Sequence, residues 1–434
     1  MATRGAHLLS ADRSFATGAG LPGRLVAPAF AGLLDRLDER ILEGGIHGVL
    51  PDGSPRRIGF RNPGPEPIVT LHSWLALVRL ATSGSVGWYK AWARREWTSP
   101  DPVPLFDLFM RNAESLGDTA RAKGGFRLVN RLAHQLRDNA PGRARRNIAA
   151  HYDLGNDFYA EWLDEGMSYS SGMFQHPFVP SGVEAPGAGP STSLGTSGGL
   201  ETAQAAKTSA ILDRLQLAPG DRLLEIGCGW GSLAIAAARR GATVTGLTLS
   251  TEQKAWAERR IAAEGLADRI TIRLEDYRAH GGTYDKLASV EMVEAVGQRW
   301  WPAYLDAVAR SLSPGGRAAL QFIAIRPSLF DAYARSADFI QTYIFPGGML
   351  LHEPRFRALA VERGLGWHDR HGFALDYAET LRHWRSRYEA AVKARKLAEF
   401  STEFHDLWRY YLMYCEGGFR GHGIDVAQVT LVKE

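Results

Sequence analysis

Short apolar runs alternate with amphipathic segments across the C-terminal two thirds of the chain. The runs predict buried strands at 222–227, 242–248, 269–275, 284–291 and 316–324, and the alternating tail at 426–432 predicts a final strand. Helical spacing of apolar residues fills the segments between the strands. Strands and helices in this alternation predict an α/β fold with a parallel sheet covered by helices on both faces.

The N-terminal third has a different pattern. Residues 1–25 are rich in Gly and Ala and are expected to be disordered. Residues 26–120 predict a small mixed domain. Its expected elements are a helix from about Ala27, strands at 46–50 and 57–60, and helices around 74–81 and 105–112.

Residues 121–146 are strongly basic. Leu128, Leu132 and Leu136 recur at every fourth position, and Asp138 is the one acid of the segment. The basic residues are Arg121, Lys123, Arg127, Arg131, Arg137, Arg143, Arg145 and Arg146. A basic amphipathic helix of this kind can lie in the headgroup region of an anionic membrane. The alternative is a linker helix docked on the catalytic domain with a solvated basic face.

Length and composition limit the possible classes of protein. The chain has 434 residues, so two domains are expected, the second being a catalytic domain at 147–434 with a flexible insertion at 176–200. A net charge of +4 allows contact with an anionic surface without requiring it. The chain has two cysteines, Cys228 and Cys415, so a disulfide framework is not expected and a reducing cytoplasm fits.

The sequence LLEIGCGWG at 223–231 predicts a buried strand, a tight glycine turn and the start of a helix. Its G-x-G-x-G spacing differs from the dinucleotide pattern G-x-G-x-x-G, and the next strand does not end in the acid that would hold a ribose. An acid directly before such a loop looks like the S-adenosylmethionine site of class I methyltransferases. The alternative for the loop alone is a structural turn.

Polar residues follow several of the predicted strands. Glu225, Thr248, Asp276 and Glu294 all lie at or just past a carboxyl end. Because ligands of parallel sheets bind beyond the carboxyl ends of the strands, these residues are expected to share one site.

Several separate motifs follow one another along the C-terminal two thirds of the chain. They are HYDLGNDFY at 151, MSYSSGMF at 167, LLEIGCGWG at 223, GLTLSTEQ at 246, EMVEAVG at 291, YIFPGG at 343, YAETLRHW at 377 and YCEGGFRGHGIDVAQ at 414. Together they resemble one family, the cyclopropane-fatty-acyl-phospholipid synthases, which include the mycolic acid cyclopropane synthases. The resemblance covers about residues 145–434, and the first domain looks like the lipid-associated N-terminal domain of longer bacterial members. It implies a class I, Rossmann-like α/β fold with a mixed seven-stranded sheet.

The resemblance also implies a chemistry. The double bond of an unsaturated phospholipid acyl chain attacks the sulfonium methyl of S-adenosylmethionine, which leaves a carbocation in the chain. Loss of a proton from the new methyl closes a cyclopropane, and the other fates give a methyl- or methylene-branched chain. The implied setting is the anionic inner face of the cell membrane, with a peripheral, cytoplasmic enzyme, a homodimer, and neither nucleic acid nor metal.

Site residues follow from the same resemblance. Those implied to hold S-adenosylmethionine are Tyr169, Ser170, Glu225, Gly227, Gly229, Gly231, Thr248, Leu249, Gln253, Asp276 and Tyr277. A bound bicarbonate is implied as the base, held by Ser171, Glu294, Gln321, Ile323 and Tyr377. The family usually has Cys at the position of Ser171 and His at that of Gln321.

Three interpretations stay open beside this one. Cys415 matches a family cysteine that has been viewed as a nucleophile, although the mechanism needs no thiolate and a buried structural thiol is the alternative. The other two interpretations concern the whole chain. It could be a methyltransferase of a small soluble acceptor, or a non-catalytic protein that binds S-adenosylmethionine or lipid. The basic segment argues against the former, and Glu225 and Glu294 argue against the latter.

The basic segment at 121–146 generates the first prediction. Binding of the protein to anionic vesicles should fall as salt rises, because exposed charges are screened within about 10 Å at 0.1 M. Co-sedimentation with anionic and neutral vesicles over a salt series measures this. Salt-independent binding, or equal binding to neutral vesicles, would exclude an electrostatic attachment.

Overall fold

A computed structural model describes residues 4–9, 27–117, 154–174, 199–336 and 338–434. The basic segment at 121–146 and nearly all of the insertion predicted at 176–200 lie outside these residues. Within the described ranges, no helix combines the length and apolar character needed to cross a bilayer.

A short ordered segment falls inside the N-terminus that was predicted to be disordered. Helix α1 (Ala6–Leu9) buries Leu8, and the Arg4 guanidinium donates to Asp157 and to Glu399 at 2.9 Å. The prediction of disorder is therefore wrong for residues 4–9, because these contacts tie the segment to the catalytic domain.

The N-terminal domain is a small sheet with helices beside it. Its helices are α2 (Ala27–Arg40), α3 (Leu75–Ala93), α4 (Val103–Arg111) and α5 (Ala113–Leu116). Its strands are β1 (Gly45–Val49), β2 (Pro55–Gly59), β3 (Ile68–Leu71) and β4 (Trp97–Thr98), in the spatial order β2-β1-β3-β4. The first two strands agree with prediction within a residue or two, and the third and fourth were missed.

Helix α3 is longer than predicted and is kinked. Gly84 interrupts it with φ 56° and ψ −135°, a conformation open to glycine. The buried ion pair of Arg79 and Glu96, with the two side chains 2.8 Å apart, joins the helix to the chain just before β4. The mainly apolar residues 68–81 divide between β3 and the first part of α3.

The catalytic domain contains a seven-stranded mixed sheet, as the resemblance implies. Its strands are β5 (Arg222–Ile226), β6 (Thr243–Thr248), β7 (Ile270–Leu274), β8 (Tyr284–Val290), β9 (Leu312–Ile325), β10 (Leu365–Gly372) and β11 (Ile424–Lys433). The spatial order is β10-β11-β9-β8-β5-β6-β7. Strands β9, β8, β5, β6 and β7 are parallel to one another. Strand β11 pairs antiparallel with β9, and β10 pairs antiparallel with β11.

Alternation along the strands separates two cores. Leu224 packs on one face with Leu320 and Tyr304, whereas its neighbour Leu223 packs on the other face with Ala234. The covering helices are α6 (Asn156–Ala160), α7 (Leu200–Arg214), α8 (Ser232–Arg239), α9 (Thr251–Ala263), α10 (Trp301–Ser311), α11 (Pro327–Tyr333), α12 (Glu353–Val361), α13 (Ala374–Lys393) and α14 (Thr402–Arg420). Helices on both faces confirm the expected layered fold.

Two strands differ from prediction. Strand β10 was not predicted, because it is a largely exposed edge strand with the polar sequence LGWHDRHG and lacks the apolar run of a central strand. Strand β9 begins at Leu312, four residues before its predicted start, so the turn residues Pro314–Gly316 lie inside it.

Glycines on α14 and just after it allow α4 of the N-terminal domain to come close. A Cβ on Gly417 would lie 2.4 Å from Cβ of Phe106, and one on Gly423 would lie 1.9 Å from Sδ of Met110. The glycines of the EGGFRGHG motif therefore form a packing surface between the two domains.

This packing generates the second prediction. Gly417→Ala should lower the free energy of unfolding by about 1–3 kcal/mol, because an added methyl overpacks the contact with Phe106. The matched control is Gly32→Ala, since the added methyl at this position of α2 has no described atom within 4 Å. Denaturant unfolding of both variants is the measurement, and equal stability would contradict the close packing.

Candidate active site

A cavity of about 610 Å³ lies beyond the carboxyl ends of β5, β6 and β8. Most of the predicted cofactor residues line it: Tyr169, Ser170, Glu225, Gly227, Gly229, Thr248, Leu249, Gln253, Asp276 and Tyr277. Four residues of the predicted reaction site also line it: Glu294, Ile323, Tyr377 and Cys415. Gly231, Ser171 and Gln321 lie behind this lining.

The glycine turn after β5 leaves room for a ligand. Gly227, Gly229 and Gly231 have φ of 84°, 52° and 86°, which side chains rarely adopt. No described atom lies within 4 Å of a Cβ placed on Gly229, whereas one on Gly227 would meet Met292 at 2.7 Å. Gly231 caps the N-terminus of α8 and closes the turn.

Glu225 ends β5 with a buried carboxylate. Its Oε2 has no hydrogen-bond partner among the described residues. Burial raises the pKa of Glu225 to about 8, against the opposing charge of Lys207. An orphaned carboxylate oxygen beside an open glycine turn fits the hydroxyls of a ribose, as in S-adenosylmethionine.

Residues after two other strands, β6 and β7, line the same cavity. Thr248 donates to Gln253 at 2.9 Å and accepts from the Ser250 amide at 3.1 Å, which fixes the start of α9. Arg278 donates two hydrogen bonds to the Asp276 carboxylate, of 2.9 and 2.6 Å. Partial burial of Asp276 would raise the pKa of its carboxyl group. The hydrogen bonds and the charge of Arg278 outweigh burial, so the pKa of Asp276 is lowered.

Lys207 on α7 is a site residue that sequence reasoning missed. Its Nζ donates to Ser170 Oγ at 2.9 Å, and the side chain is buried. Burial lowers the pKa of Lys207, opposed by the charges of Asp164, Glu291 and Glu225. The residue thus places a cation among the carboxylates of the site.

Glu291 occupies the position that was expected to hold bicarbonate. Its Oε1 accepts from the Ser171 amide at 2.9 Å and from Gln321 Nε2 at 2.8 Å. Its Oε2 accepts from the Tyr377 hydroxyl at 2.7 Å. Three of the groups implied to hold bicarbonate therefore hold a side-chain carboxylate of the protein itself.

The backbone at Glu291 is unusual. Its φ is 47°, in the left-handed region that favours glycine, and its amide donates to the carbonyl of Gln321 at 2.8 Å. A non-glycine residue in this region costs on the order of 1 kcal/mol. Such local strain is typical of functional sites, where the surrounding structure enforces it.

Glu294 takes the fourth contact. The Ile323 amide donates to its Oε1, while Oε2 is buried without a hydrogen-bond partner among the described residues. Burial, and then the charge of Glu291, raises the pKa of Glu294 to about 8. The residues present do not fit a bicarbonate ion, because Glu291 and Glu294 already use the donors that would hold it.

The remaining predicted residues have less direct roles. The Ser171 hydroxyl donates to the carbonyl of Gly172 at 2.8 Å, so only its amide faces Glu291. Gln321 is oriented by Gln428, which donates to its Oε1 at 3.0 Å. Burial, and then the charge of Asp338, raises the pKa of the Cys415 thiol, which therefore stays protonated.

Aromatic rings surround the reaction end of the cavity. Tyr377 stacks on Phe419 with centroids 4.3 Å apart, and Tyr169 lies 5.4 Å from Trp384 and 6.2 Å from Phe345. Electron-rich ring faces in an apolar cavity stabilise a nearby cation.

The sequence carried a signal for Glu291 that motif reasoning did not use. Two carboxylates, Glu291 and Glu294, follow β8 in an otherwise apolar stretch. Packing does not explain why a charged side chain stands in an apolar stretch. Two such side chains close together therefore indicate a functional site.

Comparison with known proteins decides the family. Residues 140–429 match the family described as mycolic acid cyclopropane synthetase. The chain belongs to this family. The N-terminal domain lies outside the match.

Two relatives extend the comparison. The enzyme is 36% identical over 387 residues to "Tuberculostearic acid methyltransferase UfaA1" of Mycobacterium tuberculosis, covering 85% of this chain and 84% of that protein. It is 35% identical over 319 residues to "Cyclopropane-fatty-acyl-phospholipid synthase" of Escherichia coli strain K12, covering 70% of this chain and 75% of that one. A crystal structure of mycolic acid cyclopropane synthase CmaA1 with SAH and CTAB superposes with a TM-score of 0.59 at 29% identity, covering 67% of this chain and 98% of that one.

These findings confirm the class of reaction. The enzyme is an S-adenosylmethionine-dependent methyltransferase that transfers a one-carbon unit to unsaturated acyl chains. The interpretations as a soluble-acceptor methyltransferase or a non-catalytic binding protein are not favoured. The roles of individual site residues stay predictions.

The geometry of Glu225 generates the third prediction. Affinity for S-adenosylmethionine should rise as the pH is raised through about 8, because the cofactor binds best to the charged carboxylate and burial keeps it protonated below that pH. Glu225→Gln should bind about tenfold more weakly, and its affinity should change less with pH. Titration calorimetry between pH 6 and 9 measures both effects, and an unchanged pH profile in the folded variant would contradict this placement.

Proposed function

We propose that the enzyme modifies the double bond of unsaturated acyl chains in membrane phospholipids, and that the Glu291 carboxylate removes the proton that completes the reaction. The observation that carries this proposal is the set of three donors around Glu291, in a cavity that also contains the free oxygen of Glu294. S-adenosylmethionine supplies an electrophilic methyl when it is bound beside Glu225.

Different groups take part in methyl transfer, in stabilising the cation and in removing the proton. The π electrons of the acyl double bond form the new C–C bond as the C–S bond breaks and the thioether leaves. The Oε2 atom of Glu294, which has no hydrogen-bond partner among the described residues, and the nearby aromatic faces stabilise the positive charge that develops in the chain. Glu291 then accepts a proton from the chain and later releases it to solvent.

Glu291 is suited to the role of base by its surroundings. Burial raises its pKa, while Tyr377, the Ser171 amide, Gln321 and Lys207 oppose that shift. A carboxylate with a raised pKa accepts a proton more readily than an exposed one, and the hydrogen bonds fix its direction. Tyr377, Ser171 and Gln321 are therefore positioning residues in this proposal.

Cyclopropane is the product when Glu291 takes the proton from the new methyl. A methyl- or methylene-branched chain is the second candidate. The relative named as a tuberculostearic acid methyltransferase, matched over most of both chains, supports weighing this second product. Mass spectrometry of lipids made with methyl-labelled methionine tests the function itself, and NMR of the product distinguishes cyclopropane ring protons from those of a methyl or methylene branch.

The proposed location is the cytoplasmic, inner face of the cell membrane, with the enzyme bound peripherally. The basic segment at 121–146 supports attachment to anionic lipid headgroups. Membrane phospholipid as the acyl carrier follows from this location, and the homodimer implied by the family resemblance stays a prediction.

Substitution of Glu291 generates the fourth prediction. Glu291→Gln keeps the size of the side chain but cannot accept the proton, so turnover should fall by ~10²–10⁴-fold while S-adenosylmethionine still binds. Glu291→Gly suits the local φ and frees the three donors. Added bicarbonate should then restore part of its activity. Steady-state rates and calorimetry are the measurements.

The matched control is Glu258→Gln, which removes a half-exposed carboxylate on α9 and should leave turnover unchanged. Full activity in Glu291→Gln would contradict the role of Glu291 as base. A folded Glu291→Gly variant that stays inactive at every bicarbonate concentration would show that this position does not hold the base.

A further inference from the structure

The active-site cavity continues beyond the reacting groups into the N-terminal domain. Leu80 and the kink residue Gly84 of α3 line it, as do Phe109 and Met110 of α4 and Ala113 of α5. These residues precede the part of the chain that matches the family, which begins at residue 140. The solved CmaA1 chain, matched over 98% of its length, covers only 67% of this chain.

The kinked part of α3 is joined to the catalytic domain by a partly buried set of polar contacts. Asp338 Oδ1 accepts from Ser85 Oγ at 2.7 Å and from the Tyr414 hydroxyl at 2.8 Å. Ser85 Oγ in turn accepts from the Phe339 amide at 3.1 Å. These bonds join α3 to the π-helical turn Ile340–Ile344 and to α14 at the edge of the cavity.

Helices α4 and α5 also contact the catalytic domain on two sides. Glu114 accepts from Ser328 Oγ at 2.5 Å and from Arg326 at 3.3 Å, beside helix α11. On the other side, Gly417 and Gly423 bring the catalytic domain against α4. The N-terminal residues of the cavity therefore form a fixed wall.

The chemistry of this wall selects hydrocarbon. Leu80, Phe109, Met110 and Ala113 present apolar side chains. The acid in this region, Asp338, is already bound by Ser85 and Tyr414. A charged headgroup would lose its hydration here against mainly apolar side chains, whereas an acyl chain buries apolar surface.

We infer that the N-terminal domain forms the end wall for the methyl-terminal part of the acyl chain, and so determines which double-bond position reaches the sulfonium methyl. This inference rests on the proposed function. The wall limits how much chain can extend past Glu294, so Ala113 and Phe109 determine specificity without touching the reacting atoms.

Two substitutions should change this length in opposite directions. Ala113→Leu reduces the space and should favour chains whose double bond is nearer the methyl end. Phe109→Ala enlarges the space and should favour chains whose double bond is nearer the carboxyl end. Since one methylene in an apolar pocket changes specificity by ~10-fold, each variant should shift the ratio of kcat/KM values by about that factor.

The full-length enzyme is assayed on phosphatidylglycerol vesicles whose chains differ only in the position of one double bond. Ala262→Leu, on the exposed face of α9, is the matched control and should keep the wild-type ratio. Calorimetry with S-adenosylmethionine should show unchanged affinity in both test variants.

The wild type is measured first, because the result separates the two claims. If it converts none of the lipids, the proposed function fails and this inference fails with it. If it converts them, opposite shifts in the two variants support the inference. An unchanged ratio in both variants, with or without a uniform loss of rate, overturns the inference and leaves the proposed function intact.

Discussion

Two buried carboxylates on adjacent turns of the chain are the constraint on which the active site depends. A buried charge is tolerated only when donors or opposite charges compensate for the lost water. Glu291 has three donors from three separate elements, and Lys207 adds a positive charge nearby. Among the described residues, Glu294 accepts from the Ile323 amide and its Oε2 has no partner, which leaves this oxygen able to stabilise a cation.

This arrangement explains why distant parts of the sequence must meet. Ser171 comes from the loop before α7, Gln321 from β9 and Tyr377 from α13, and all three bind one carboxylate. The left-handed backbone at Glu291 is held in place by the same bonds, together with the bond to the Gln321 carbonyl. The glycine turn after β5 lines the same cavity.

Sequence patterns predicted the central strands and the cofactor turn because both depend on local signals. Leu223 to Gly231 combine a buried strand with glycines that the turn requires. The exposed strand β10 lacks such a signal. The hydrogen bonds of Glu291 were not predicted because they come from three partners far away in the sequence, and the family resemblance implied a bicarbonate ion there.

If the base is part of the protein, as we propose, the wild-type enzyme does not depend on bicarbonate. Initial rates are measured on unsaturated phospholipid vesicles in buffer freed of carbon dioxide and again after graded addition of bicarbonate. The same rate is expected throughout, because the Glu291 carboxylate already occupies the donors. A rate that is lost on depletion and restored by bicarbonate would contradict it.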